Sequence, residues 1–178
     1  MATEKRALFE RWFEEVWNKG NVAALPELLT EDAVIHGLPI APGEGQTAHT
    51  GMRALVERFR GAFPDIRIVV EDAVEEGDKI AVRCVVRGTH LGETLGVASS
   101  RKPVEITGMT IARVCDGKIV EGWNNYDFMT LFQQIGAMQP PAAGWRLKSR
   151  RSGVPQSRGF HRQVACRPQQ PTSCPTPP

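Results

Sequence analysis

Residues 66–87 read IRIVVEDAVEEGDKIAVRCVVR. In the second half Ile80, Val82, Cys84 and Val86 alternate with Ala81, Arg83, Val85 and Arg87. Successive side chains of a strand point to opposite faces, so this period of two predicts a strand with one apolar face. Ile66 to Val74 predicts the strand before it, with Glu76-Gly77-Asp78-Lys79 as the turn between them. A further strand is expected through Val104-Glu105-Ile106 to Val114. Asp116-Gly117, a strong hairpin signal, then leads into another at Lys118-Ile119-Val120.

Upstream the period is helical. Leu8, Phe9, Trp12, Phe13, Val16 and Trp17 recur at three- and four-residue steps, with Thr3 placed as N-cap and Gly20 as the stop. A short second helix carries Leu25, Leu28 and Leu29, with Pro26 in its first turn. Ala33-Val34-Ile35-His36 reads as a short strand, and the Pro- and Gly-rich residues 37–50 as a loop. A third helix shows Met52, Leu55, Val56, Phe59 and Phe63 and is stopped by Pro64. A closing helix carries Phe128, Leu131, Phe132 and Ile135, ended by Gly136. Helices, long antiparallel strands and a last helix make an α+β pattern. A strongly curved sheet wrapped over the N-terminal helices would form a cone with an apolar interior able to hold a small hydrophobic molecule.

The chain has 178 residues, and its 41% hydrophobic and 24% charged residues match an ordinary globular protein. No apolar run is long enough for a membrane helix, and the charged N-terminus lacks a signal-like apolar segment, so a cytoplasmic protein with no membrane partner is expected. The formal charge of +2 hides two unlike pieces. Residues 139–178 carry Arg146, Lys148, Arg150, Arg151, Arg158, Arg162 and Arg167, no acidic residue, and most of the prolines, whereas residues 1–138 are net acidic. The division expected is a folded domain at 1–138 and a basic, Pro-rich disordered tail at 139–178. That tail reads either as a basic arm or as a dispensable extension. Its charges are not interleaved with aromatics, so nucleic acid is not an expected partner. Four cysteines do not make a disulfide scaffold, and the histidines lack metal-ligand spacing.

Several short pieces, taken in order, resemble one family. They are Trp17-Asn18-Lys19-Gly20-Asn21, Asp32 with His36, Phe63-Pro64-Asp65, Gly77-Asp78-Lys79, Gly88-Thr89-His90-Leu91-Gly92-Glu93, Gly117-Lys118-Ile119-Val120-Glu121-Gly122-Trp123, Asp127, and Gln133-Gln134-Ile135-Gly136. Together they resemble the SnoaL-like polyketide and ester cyclases of the nuclear-transport-factor-2-like superfamily. The resemblance implies a cone-shaped, cystatin-like α+β barrel, a homodimer, and no metal or organic cofactor. It implies a general acid/base cyclisation, of intramolecular aldol type, on a small hydrophobic ester or polyketide-like substrate. The alternative is a non-catalytic small-molecule-binding or dimerisation module on the same fold.

The resemblance places the acid/base at Asp127, but Asp127 also immediately precedes a helix, where it is a good N-cap whose carboxyl would be held low. Asn124 stands where many relatives have a carboxylate, and an amide orients a carbonyl without moving protons. His90 is in phase with Ile80 to Val86 and so faces the apolar side, either to meet substrate or to satisfy backbone. His36 matches a family position near the pocket. Glu121 shares parity with Ile119 and Trp123 and points either into the cone or to an ion pair with Arg113 or Lys118. Trp123, Trp17, Phe59, Phe63 and Tyr126 complete the expected substrate-binding set.

Overall fold

The computed structural model describes residues 3–40 and 46–139. The reading of residues 139–178 as a disordered basic tail lies, apart from Gln139, outside these residues. Helix α1 (Glu4–Arg11) is capped by Thr3, whose side chain accepts from the Arg6 amide. It continues as a π-helical stretch, Trp12–Asn18. The wider turn keeps Trp12, Phe13, Val16 and Trp17 buried together, where strict α geometry would spread them further round the axis. A 3-10 turn (Val22–Ala24) and the short α2 (Leu25–Leu28), with Pro26 in its first turn, lead into β1 (Leu29–His36).

Helix α3 runs from Ala48 to Ala62, starting earlier than the apolar period alone suggests. The reason is a capping box: Thr47 accepts from the Thr50 amide while the Thr50 hydroxyl meets the Thr47 amide. Four strands follow: β2 (Arg67–Glu76), β3 (Lys79–Thr89), β4 (Pro103–Cys115) and β5 (Lys118–Tyr126), then α4 (Phe128–Ile135). Asp116 and Gly117 both have positive φ, the backbone a two-residue hairpin needs.

The sheet order is β1-β5-β4-β3-β2. The four later strands pair antiparallel, as their sequence predicts. β1 differs: it adds to the edge parallel to β5, with Val34 opposite Glu121 and His36 opposite Trp123. The core lies between the inner sheet face and the helices. Phe9, Val16, Leu28, Val56 and Phe63 are buried from the helical side, Ile80, Val82, Cys84 and Ala112 from the sheet.

The family-like motifs tie these layers together. Asn18 donates to the Ile68 carbonyl and accepts from the Ile68 amide, at 3.1 and 2.7 Å, which stitches the π-helical stretch to β2. Arg60 donates to the Trp17 and Asn18 carbonyls, closing the last turn onto α3. Asp65 accepts from the amide and hydroxyl of Thr89, fixing the end of β3. Burial pushes the Asp65 carboxyl up, but the Thr89 hydrogen bonds outweigh it and hold it below its ordinary value. Among the described residues no helix is long and apolar enough to cross a membrane.

Candidate functional site

One residue in β5 decides what the sheet presents to the interior. Arg113 pairs with Glu121, but the next residue, Val114, pairs with Ile119. Val120 is therefore an extra residue, and this bulge flips the alternation of β5. Ile119 faces inward; beyond the bulge the inward set is Gly122, Asn124 and Tyr126. Strict parity from Ile119 would have put Glu121 and Trp123 inside.

The inward face closes over an apolar slot. Phe9, Trp12, Phe13 and Trp17 line it from the first helix, Met52, Leu55 and Phe59 from α3, and Phe128 and Leu131 from α4. Phe63, Ile66, Ile68, Val86, Val104, Ile106 and Ala112 complete the wall. The free space is narrow, about 70 Å³. That is roughly half the ~150 Å³ that houses a benzene-sized guest in an engineered apolar cavity, so a ring enters only as wall side chains yield. The slot is partly open to solvent, and among the described residues no Asp, Glu, Lys, Arg or His lines it.

Besides the indole nitrogens of Trp12 and Trp17, its polar side chains among the described residues are Thr110, Asn124 and Tyr126, and Thr110 touches both of the others. The Thr110 hydroxyl donates to Asn124 Oδ1 at 2.9 Å and lies 3.4 Å from the Tyr126 hydroxyl. Asn124 Nδ2 donates to the backbone carbonyls of His36, at 2.9 Å, and of Gly122, at 3.5 Å. The amide is thereby fixed with its oxygen toward Thr110. Cys84 sits beneath, its Sγ 3.6 Å from the Gly108 carbonyl and 3.7 Å from the Tyr126 hydroxyl. Burial pushes the Tyr126 phenol well up and raises the Cys84 thiol, so both stay protonated at neutral pH. Gly108 makes the arrangement possible: a Cβ there would lie 2.2 Å from the Tyr126 ring.

Of the sequence candidates, Trp17, Phe59, Phe63, Asn124 and Tyr126 share this one lining. The remaining candidates do not. Asp127 caps α4 by accepting from the Thr130 amide at 2.9 Å, and its side chain faces the outside. Hydrogen bonds from the Thr130 side chain and amide hold its carboxyl below the ordinary range, the opposite of what a proton shuttle near neutral pH needs. His36 is exposed at the sheet edge, stacked on Trp123 with ring centroids 5.5 Å apart and 3.0 Å from Glu121. Glu121 also pairs with Arg113, and Lys79 lies over the Trp123 ring. His36, Glu121 and Trp123 form an outer-face cluster with the sheet between them and the slot.

His90 does turn to the buried side, as its phase predicts. It packs against Phe63, with ring centroids 5.4 Å apart, but is not part of the slot lining. Its Nδ1 accepts from the Ser100 amide, so the proton of the neutral ring is on Nε2, which meets no hydrogen-bond partner among the described residues. With the backbone bonds His90 to Lys102 and Arg101 to His90, it pins the base of the 91–102 loop.

Thr110 is the site residue that sequence reasoning missed. Its signal was present: it is the polar member of the inward series Val104, Ile106, Gly108, Thr110, Ala112, all buried. Among the described residues, no three His, Cys, Asp or Glu side chains converge as a metal site would require.

Comparison with known proteins agrees with this architecture. A family model for SnoaL-like polyketide cyclases matches residues 7–135. Nogalonic acid methyl ester cyclase of Streptomyces nogalater is 27% identical over 125 residues, covering 68% of this chain and 86% of that protein. The crystal structure of IdmH, a candidate polyketide cyclase of Streptomyces antibioticus, is 35% identical with a TM-score of 0.63, over 76% of this chain and 99% of that one. A candidate polyketide cyclase from Bacillus cereus is 30% identical with a TM-score of 0.65, over 77% and 83%. The chain spans nearly the whole of these relatives, with the same fold and a family match across its described domain: it belongs to the SnoaL-like polyketide cyclases.

Proposed function

We propose that this protein cyclises a small hydrophobic ester or polyketide-like substrate inside the slot, without a cofactor. The observation that carries the reading is the coincidence of an apolar wall with one cluster of neutral polar groups. An intramolecular aldol closure removes a proton alpha to a carbonyl, joins that carbon to a second carbonyl, and returns a proton to the alkoxide, so mass is conserved. The apolar wall folds the chain so that the two carbons meet, which replaces entropy otherwise lost in the transition state. The Tyr126 hydroxyl donates to the oxygen on which negative charge grows, in surroundings from which water is largely excluded. Among the described residues the slot wall holds no carboxylate to act as base. The alpha proton, already acidified by flanking carbonyl groups, leaves to solvent through the open side, and the alkoxide is protonated by the same route.

The substrate to try first is the one for which the Streptomyces nogalater relative is named, nogalonic acid methyl ester. Purified protein should convert it to a product of unchanged mass and altered chromatographic mobility, and Tyr126→Phe should slow that conversion about tenfold or more. The competing reading is a non-catalytic binding module. Thermal stabilisation by the ester with no product over prolonged incubation would favour it.

A further inference from the structure

We infer that His90 forms a second subsite of the slot, behind Phe63, where its Nε2–H receives an oxygen at the far end of an elongated ligand. The inference rests on the reading that this slot is the binding site. It adds a residue that chooses among ligands by what they carry away from the reacting carbonyls.

Among the described residues two buried side-chain polar atoms lack a hydrogen-bond partner, Thr30 Oγ1 and His90 Nε2. A threonine hydroxyl can rotate toward a neighbouring carbonyl, but this imidazole cannot turn. Its Nδ1 is held by the Ser100 amide at 3.1 Å, with the Ser100 hydroxyl also 3.1 Å away. Its backbone amide donates to the Lys102 carbonyl, and its carbonyl accepts from the Arg101 amide. The ring therefore carries a fixed N–H in an interior where its exposure is 0%. A buried donor without an acceptor costs stability, so one held this firmly calls for an acceptor that arrives from outside.

The inward row of β3 shows where that acceptor enters. Val86 lines the slot, Gly88 follows, and His90 comes next, just past the end of the strand. Gly88 leaves a gap in the row, and Phe63 fills it: a Cβ on Gly88 would lie 3.3 Å from the Phe63 Cβ. Phe63 lines the slot and also packs against the His90 ring, with centroids 5.4 Å apart. One side chain therefore stands between the slot and His90. The free space is about 70 Å³, so a ligand of more than one ring enters by displacing wall side chains, and displacing Phe63 joins His90 to the slot. Beside Gly88 the wall is Phe63, Val86 and Val104, none with a polar side-chain atom, so the donor at this end is His90. His90 lies six residues beyond Cys84, whose thiol underlies the Tyr126 hydroxyl; at the rise of a strand that is roughly 20 Å. His90 is thus a specificity residue for the remote end of the ligand and takes no part in the closure at Tyr126.

The test uses two slim esters of one shape on the full chain. One is the methyl ester of biphenylcarboxylic acid with an acetyl group at the opposite para position; the other carries an ethyl group there. They differ in one carbonyl oxygen at the end remote from the ester. In nitrogen-edited NMR spectra of the imidazoles, the acetyl ester should move the His90 Nε2–H proton downfield of its position with the ethyl ester and slow its exchange. His90→Asn keeps an oxygen for the Ser100 amide and lacks the distal N–H. It should weaken the acetyl ester about three- to tenfold and leave the ethyl ester unchanged. A residue that only holds the loop would move both affinities together, and that result would overturn the inference. Should His90→Asn fail to fold, the proton shift in the native chain decides. Tyr126 and Phe59 signals that move with the acetyl ester while the His90 proton stays in place would overturn the inference with the slot reading intact. Slot signals unmoved by either ester would overturn the slot reading and the inference with it.

Discussion

Asp127 shows how one carboxylate can answer two sequence patterns. The resemblance gives it the family's acidic position, its place before a helix makes it a good N-cap, and the structure places it as the cap, outside the slot. Asparagine caps nearly as well as aspartate. Asp127→Asn should therefore leave both turnover and melting temperature close to native, and Asp127→Ala should cost about 1 kcal/mol of stability at neutral pH. Because its folded pKa is lowered, the capping stability is present above the unfolded value of about 3.9 and is lost as pH falls through the folded pKa. The gap between Asp127→Ala and native should therefore close in acid. Loss of turnover in Asp127→Asn at full stability would instead make it the proton carrier.

Asn124 makes the complementary case. The carbonyls of His36 and Gly122 both accept from its amide, so the pocket is wired for a donor at this position. An aspartate there would point a carboxylate at two carbonyl oxygens, and its folded pKa would rise above the unfolded value. Asn124→Asp should come nearest to native stability below the unfolded aspartate pKa and fall behind as pH rises. Thermal melts across pH would read this directly; a melting difference that does not change with pH would contradict it.

At the scale of elements, the strands were legible because alternation survives in β3 and β4, where Ile80, Val82, Cys84 and Val104, Ile106, Ala112 all turn inward. In β5 parity points Glu121 and Trp123 inward, whereas the structure turns both outward and gives Glu121 its alternative, the ion pair with Arg113, because a bulge leaves no mark in the pattern: Val120 is apolar in either register. Edge pairing was equally hidden, since nothing in Ala33 to His36 states whether it joins β5 parallel or antiparallel. Deleting Val120 should restore strict alternation with Ile119, Gly122, Asn124 and Tyr126 still inward and Glu121 still outward, so the chain should still fold cooperatively. A cooperative melt near the native temperature would show that the bulge is dispensable. Gly108→Ala tests the other contact between strands. Displacing the Tyr126 ring should cost activity more than Tyr126→Phe does, because the whole side chain moves.

At the scale of the molecule, the fold separates two faces of one sheet. The inner face carries the slot, while the outer face exposes Met109 at 49% and Ile111 at 43%, beside Trp123. The resemblance implies a homodimer, and we propose that this apolar outer face is where two copies meet. Analytical ultracentrifugation should give a dimer for the native chain and a monomer for Ile111→Glu with its spectrum unchanged; a native monomer at micromolar concentration would contradict this. The slot's small free volume adds a further expectation: ligand binding should raise the solvent-exchange protection of α3 and α4, whose aromatic side chains must shift to admit a ring.

The proposed chemistry occurs at the inner polar cluster and not at the outer one of His36, Glu121 and Trp123. A crystal structure with a non-cyclisable methyl ester bound decides between them. We predict its carbonyl oxygen within hydrogen-bond distance of the Tyr126 hydroxyl, between the walls formed by Trp17 and Phe59. An ester lying against the Trp123 ring, with the slot closed behind it, would contradict the account.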